Sequence, residues 1–182
     1  MRTYRYQGTL LDDKAKAGAV PVRLDFGFKF YAVQYLVVSE KLNPGENRVF
    51  DIVESNAKNK RIFKAEIVHD PSARLYRYYA TADKIYDGDT ITQATIDLGF
   101  DAQFVNTIRL SGIDTPESRG AERESGLISK ARLVKLILGK EIVIETEKDH
   151  TGKYGRYLGR IFVDDVDVNQ LLVDEGLAEP YL

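Results

Sequence analysis

Residues 90–98 read Thr90-Ile91-Thr92-Gln93-Ala94-Thr95-Ile96-Asp97-Leu98. On an extended chain Ala94, Ile96 and Leu98 share one face, and Thr95 and Asp97 share the other. That is the two-residue period of a strand with one buried side. Upstream, residues 78–86 form another strand-like run, ending in the turn Asp87-Gly88-Asp89. Downstream, residues 104–110 are a third, with Ile108 and Leu110 inward and Arg109 on the opposite face. Then the period changes. Residues 122–138 place Leu127, Ala131, Val134 and Leu138 on one stripe of a helix, and Gly139 follows as a C-terminal cap. Residues 141–146 and 157–163 return to strand patterns, and a short helix over 169–175 stops at Gly176.

Three strands, a helix, two strands and a helix predict a mainly β fold with helices, of the α+β class. The order suits a five-stranded Greek-key barrel of the oligonucleotide/oligosaccharide-binding (OB) type. The preceding residues read as strands and turns only, with β-like runs within 21–39, 48–54 and 61–69. His69-Asp70-Pro71-Ser72 punctuates the chain and predicts two domains, 1–72 and 73–182. The two resemble each other at a constant spacing of 72 residues. Tyr4-Arg5-Tyr6 matches Tyr76-Arg77-Tyr78, Asp25, Gly27 and Phe28 match Asp97, Gly99 and Phe100, and Val33, Ser39 and Pro44 match Val105, Ser111 and Pro116. A weaker match, at a spacing of 95, relates Lys58, Arg61, Val68 and Asp70 to Lys153, Arg156, Val163 and Asp165. The expectation is a smaller all-β domain that is a degenerate OB-like copy of the second and lacks its helix. The alternative is that hairpins with similar turns look alike.

The composition bounds the chemistry. The chain has 182 residues, 43% hydrophobic and 30% charged, as in a globular protein. Its net charge of −2 argues against a broad basic face, though not against a local basic cleft. There is no cysteine, so disulfides and thiolate metal sites are excluded. The two histidines, His69 and His150, lie far apart, which leaves oxygen as the expected metal donor. No leader pattern and no membrane-length apolar run are present, so an intracellular protein with no membrane partner is expected.

Five fragments, in order, carry a family resemblance: Ile85-Tyr86-Asp87-Gly88-Asp89-Thr90, Ile108-Arg109-Leu110, Ile113-Asp114-Thr115-Pro116-Glu117, Lys153-Tyr154-Gly155-Arg156, and residues 168–178 ending in Glu175-Gly176-Leu177-Ala178. Over roughly residues 79–178 the chain resembles the staphylococcal nuclease (thermonuclease) family. The resemblance implies Ca²⁺ held by Asp89, Asp114 and the main-chain carbonyl of Thr115. Two carboxylates and a carbonyl form an incomplete oxygen shell that water and a substrate phosphate can fill. It implies Glu117 as the base that activates the attacking water, with Arg109 and Arg156 as phosphate clamps. Guanidinium matches phosphate oxygens two at a time, and an apolar strand does not need an arginine for packing. Lys153 and Tyr154 are implied to contact the terminal phosphate and the nucleotide.

The implied activity is a Ca²⁺-dependent endonuclease or phosphodiesterase acting on DNA or RNA and leaving 3′-phosphate products. The alternative is a non-catalytic OB-type module that binds single-stranded nucleic acid or a protein. The first copy cannot use this chemistry: at the spacing of 72, Ala17, Val37, Leu42 and Gly45 stand where Asp89, Arg109, Asp114 and Glu117 stand in the second.

Overall fold

The alternating strands close into two barrels. The computed structural model describes residues 2–181 except 13, 17, 58, 59, 71 and 152–155, and only the backbone of 57 and 147–151. The chain divides into two units, Met1–Tyr76 and Arg77–Leu182.

The first unit holds β1 (Thr3–Leu10), β2 (Val20–Asp25), β3 (Tyr31–Val38), β4 (Asn47–Ala57) and β5 (Lys60–Ile67). They form a closed barrel in the order β1-β2-β3-β5-β4, with β3 and β5 parallel. Its interior is filled by Tyr6, Leu10, Val22, Leu24, Phe26, Leu36, Phe50 and Ile52. Full burial of such a side chain contributes about 1.5–3 kcal/mol.

The second unit holds β6 (Arg77–Asp87), β7 (Thr90–Gly99), β8 (Ala102–Leu110), the two-residue β9 (Ile113–Asp114), α1 (Arg123–Ile137), β10 (Glu141–Thr151), β11 (Tyr157–Val163), β12 (Val166–Asp167), α2 (Val168–Asp174) and β13 (Glu179–Pro180). Its main strands run β10-β6-β7-β8-β11, and a β10–β11 pairing closes the ring. As the alternation requires, Ala94, Ile96, Leu98, Ile108 and Leu110 are buried. Asp167 caps α2, its side chain accepting the Gln170 N–H. No helix among the described residues is long and apolar enough to cross a membrane.

The two barrels share strand order and register. Gln7 faces Asp25 across β1–β2, and Tyr79 faces Asp97 across β6–β7; Arg23 faces Val33, and Thr95 faces Val105. The hairpin turns match as well. Asp25 accepts the Gly27 N–H at 2.9 Å and Asp97 the Gly99 N–H at 2.8 Å, and Phe28 and Phe100 have φ of 53° and 55°. Beyond the third strand the spacing becomes 94, not 95: Phe50 faces Ile67 as Ile144 faces Ile161. The cross-strand ion pair Arg5–Asp51 recurs as Arg77–Glu145. At that spacing Ile62, not Arg61, corresponds to Arg156, and the Arg61 guanidinium pairs with Glu54 at 2.6 Å. Chance identities had shifted the match by one residue.

The stripe expected on α1 is also displaced. Gly126, Ser129, Leu133 and Ile137 are buried, whereas Leu127, Ala131 and Leu138 are exposed. Small residues face inward because the helix lies close against main chain. A Cβ at Gly126 would come within 2.3 Å of the Glu117 carbonyl oxygen.

Candidate active site

One end of the second barrel gathers three strand ends. The β7–β8 register sets Thr90 directly opposite Arg109, and the parallel β8–β11 pairing sets Tyr157 beside Ile108, which brings Arg156 alongside. The Leu110 N–H donates to the Asp89 carbonyl at 2.8 Å, locking the β6–β7 turn onto the end of β8. Gly88 is needed in that turn. A Cβ there would lie 2.7 Å from the Ser129 Cβ and 3.0 Å from the Thr115 Oγ1. The segment bearing Asp114 is pinned by β13, with Glu179 opposite Asp114 and the Tyr181 N–H donating to the Gly112 carbonyl at 3.0 Å.

Arg109 joins the two carboxylates. Its Nη1 lies 2.7 Å from Asp89 Oδ2, and its Nη2 donates to Asp114 Oδ1. Asp89 is only 3% exposed, whereas Asp114 is open to solvent. The other Asp89 oxygen accepts the Thr90 hydroxyl at 2.8 Å, and Arg156 Nη1 reaches that hydroxyl at 3.5 Å. Thr90 is thus a buried link between the inner carboxylate and the second arginine. Its motif position was legible in the sequence, but its linking role was not.

Glu117 stands apart from this cluster. It is exposed on the loop after β9, and its N–H donates to Glu122 Oε2 at 3.2 Å. No hydrogen bond or ion pair ties its carboxylate to Asp89 or Arg109. What fixes it is the backbone: Gly126 of α1 packs on Pro116 and Glu117, and Arg119 stacks over the Tyr86 ring at 5.3 Å. The sequence reading passed over Gly126 and Arg119. A glycine inside an otherwise helical pattern was the available signal for the first. Lys153 and Tyr154 lie outside the described residues.

Burial pushes the Asp89 carboxyl above the ordinary carboxylate range, and Asp114 adds to the rise. The Thr90 hydroxyl, the Arg109 charge and the Thr115 N–H oppose it without cancelling it. A raised folded-state pKa means that protonation favours the fold. That stability is fully present below the unfolded carboxylate pKa and is lost as pH rises through the raised folded value. In the absence of divalent cation, Asp89→Asn is therefore expected to raise Tm at pH 7, with the gain shrinking as pH falls toward 4. A lower Tm for the variant at pH 7 would show that pairing with Arg109 outweighs burial.

Among the described residues no three His, Cys, Asp or Glu side chains cluster as a metal cage. Asp89 and Asp114 nevertheless present two carboxylates to one position, which the Arg109 guanidinium occupies. An all-oxygen, partly open set of this kind fits a hard divalent cation completed by water, carbonyl and phosphate oxygens.

The staphylococcal nuclease homologue family model matches residues 107–182, which include Arg109, Asp114, Thr115, Glu117 and Arg156. Endonuclease YncB of Bacillus subtilis (strain 168) is 30% identical over 138 residues, covering 74% of this chain and 62% of that protein. That share of the chain exceeds the second unit, so the match extends into the first. The SPbeta prophage-derived endonuclease YokF of the same organism is 34% identical over 102 residues, covering 54% of this chain and 32% of that protein. The chain thus spans less than two thirds of either relative.

Proposed function

We propose that the chain is a Ca²⁺-dependent nuclease, a reading supported by the match of residues 107–182 to the staphylococcal nuclease homologue family model. It hydrolyses phosphodiester bonds of DNA or RNA by in-line attack of water and leaves 3′-phosphate products. The observation that carries this reading is the convergence of Asp89, Asp114 and Arg109, with Arg156 one hydroxyl away.

Asp89, Asp114 and the Thr115 carbonyl would hold the cation, which when bound supplies charge neutralisation for phosphoryl oxygens. Arg109 and Arg156 grip the scissile phosphate, and their fixed donors favour the more highly charged transition state over the ground state. Glu117, exposed and anchored by its backbone, accepts the proton of the attacking water. Lys153 and Tyr154 would contact the terminal phosphate and the nucleotide.

Cleavage of an oligonucleotide is expected to appear on adding Ca²⁺ and to vanish with chelator. The cation alone should also raise Tm, by about 2.7 kcal/mol of added stability at a concentration 100 times its Kd. Binding of nucleic acid with no cleavage under any divalent cation would instead support a non-catalytic module.

The first unit is, on the same reading, a duplicated barrel that lost the catalytic residues and the α1 insertion. The shared strand order, register, turn and ion pair support this. An experimental structure pairing the first unit's strands in another order would remove the idea.

A further inference from the structure

We propose that the outer face of β2 and β3 in the first unit binds single-stranded nucleic acid. Phe30, Tyr31, Val33 and Tyr35 are all large exposed side chains within a six-residue run, with Tyr31 and Tyr35 47% and 45% exposed. Tyr31, Val33 and Tyr35 alternate along β3, so they stand in a row on one side of the sheet, roughly 6.8 Å between neighbours. Arg23 is exposed and lies opposite Val33, between the two rings. Lys16, from the loop joining β1 and β2, sits over the Tyr35 ring at 5.7 Å. Lys64 flanks the row on β5, opposite Val37.

Aromatic faces with interleaved cations suit unpaired bases on a phosphate chain. Every base has a face to stack, and the backbone is anionic. No carboxylate is exposed on either strand. The one acid, Asp25, is buried and its side chain accepts the Gly27 N–H. Strands 2 and 3 are also the face through which barrels of this topology bind oligonucleotides.

Two contrasts within the chain set this face apart from ordinary strand composition. At the spacing of 72 the second barrel has Gln103, Val105 and Thr107 in place of Tyr31, Val33 and Tyr35, and Thr95 in place of Arg23. The barrel therefore does not need the rings or the charge. Charge also segregates. Residues 1–76 carry 13 Lys and Arg against 9 Asp and Glu, a net +4, whereas residues 77–182 carry 13 against 19, a net −6. The acidic unit repels nucleic acid at long range, and a basic unit on the same chain raises the local concentration of substrate.

The test is fluorescence anisotropy of the full chain with a labelled oligothymidylate in chelator, where no metal-dependent cleavage occurs. It does not depend on the nuclease reading. Salt-sensitive binding is expected. Tyr31→Ala with Tyr35→Ala should weaken it at least tenfold at unchanged Tm, and Tyr31→Phe with Tyr35→Phe should retain it. Wild-type affinity in the double alanine variant overturns the proposal, as does equal or tighter binding of a duplex of the same length. If the alanine variant loses its fold, Val33→Glu carries the test by setting a carboxylate between the rings. Undiminished binding there overturns it equally.

Discussion

Arg109→Ala is expected to lower kcat by about 10²–10³-fold and, in the same protein, to raise the affinity for Ca²⁺ measured without nucleic acid. The two effects have one origin. The guanidinium spans Asp89 and Asp114, the two carboxylates proposed to hold the cation. A cation held by both carboxylates would therefore compete with Arg109, and a displaced guanidinium would be free to turn toward phosphate. Removing it frees the carboxylates but leaves Asp89 buried with its largest countercharge gone. The metal-free variant should melt below the wild type, and saturating Ca²⁺ should restore more of its Tm than it adds to the wild type. Arg109→Lys keeps a charge but not the two-pronged donor, so it should recover stability better than turnover. Terbium luminescence or calorimetry reads the affinity, and single-turnover cleavage reads the chemistry. Unchanged turnover would remove Arg109 from the phosphate site, and weaker cation binding would end the competition argument.

What the sequence disclosed follows from which interactions are periodic. The alternation in 90–98 reports a strand because burial on one side of a sheet repeats every second residue, and Ala94, Ile96 and Leu98 are indeed buried. Arg109 stood out because its neighbours Ile108 and Leu110 are core residues. β1 escaped notice because Thr3–Leu10 has no apolar run. Its place is decided by pairing with β2 on one side and β4 on the other. On α1 the residues from Leu127 to Leu138 are apolar on several faces, so periodicity alone could not choose the buried one. The choice is made by Gly126 and Ser129, whose small size lets the helix meet the Glu117 backbone and the turn at Gly88. The Thr90 link was similarly hidden, since a hydroxyl joining a carboxylate to an arginine leaves no pattern along the chain.

Gly126 supplies the second large effect, because it packs on the main chain that carries Glu117, the proposed base. Glu117→Gln removes proton acceptance and should cost about 10²–10⁴-fold in kcat. Tm should change little, because the side chain is exposed. Gly126→Ala leaves the carboxylate intact but brings a methyl within 2.3 Å of the Glu117 carbonyl oxygen and 2.6 Å of that of Pro116. Neither is the end of a flexible side chain, so helix or loop must separate. A displacement of about 1 Å at a reacting group can cost roughly 10²-fold in rate. Alanine gains about 1 kcal/mol of helix propensity over glycine, and overpacking costs about 1–3 kcal/mol, so Tm should fall modestly. The double variant separates positioning from general damage. If Gly126 acts through Glu117, then Gly126→Ala added to Glu117→Gln should slow cleavage no further, because the base it displaces is already inert. Multiplying losses would show that the helix serves the site by another route. A Gly126→Ala protein with full activity would show that the loop accommodates the methyl without moving the carboxylate.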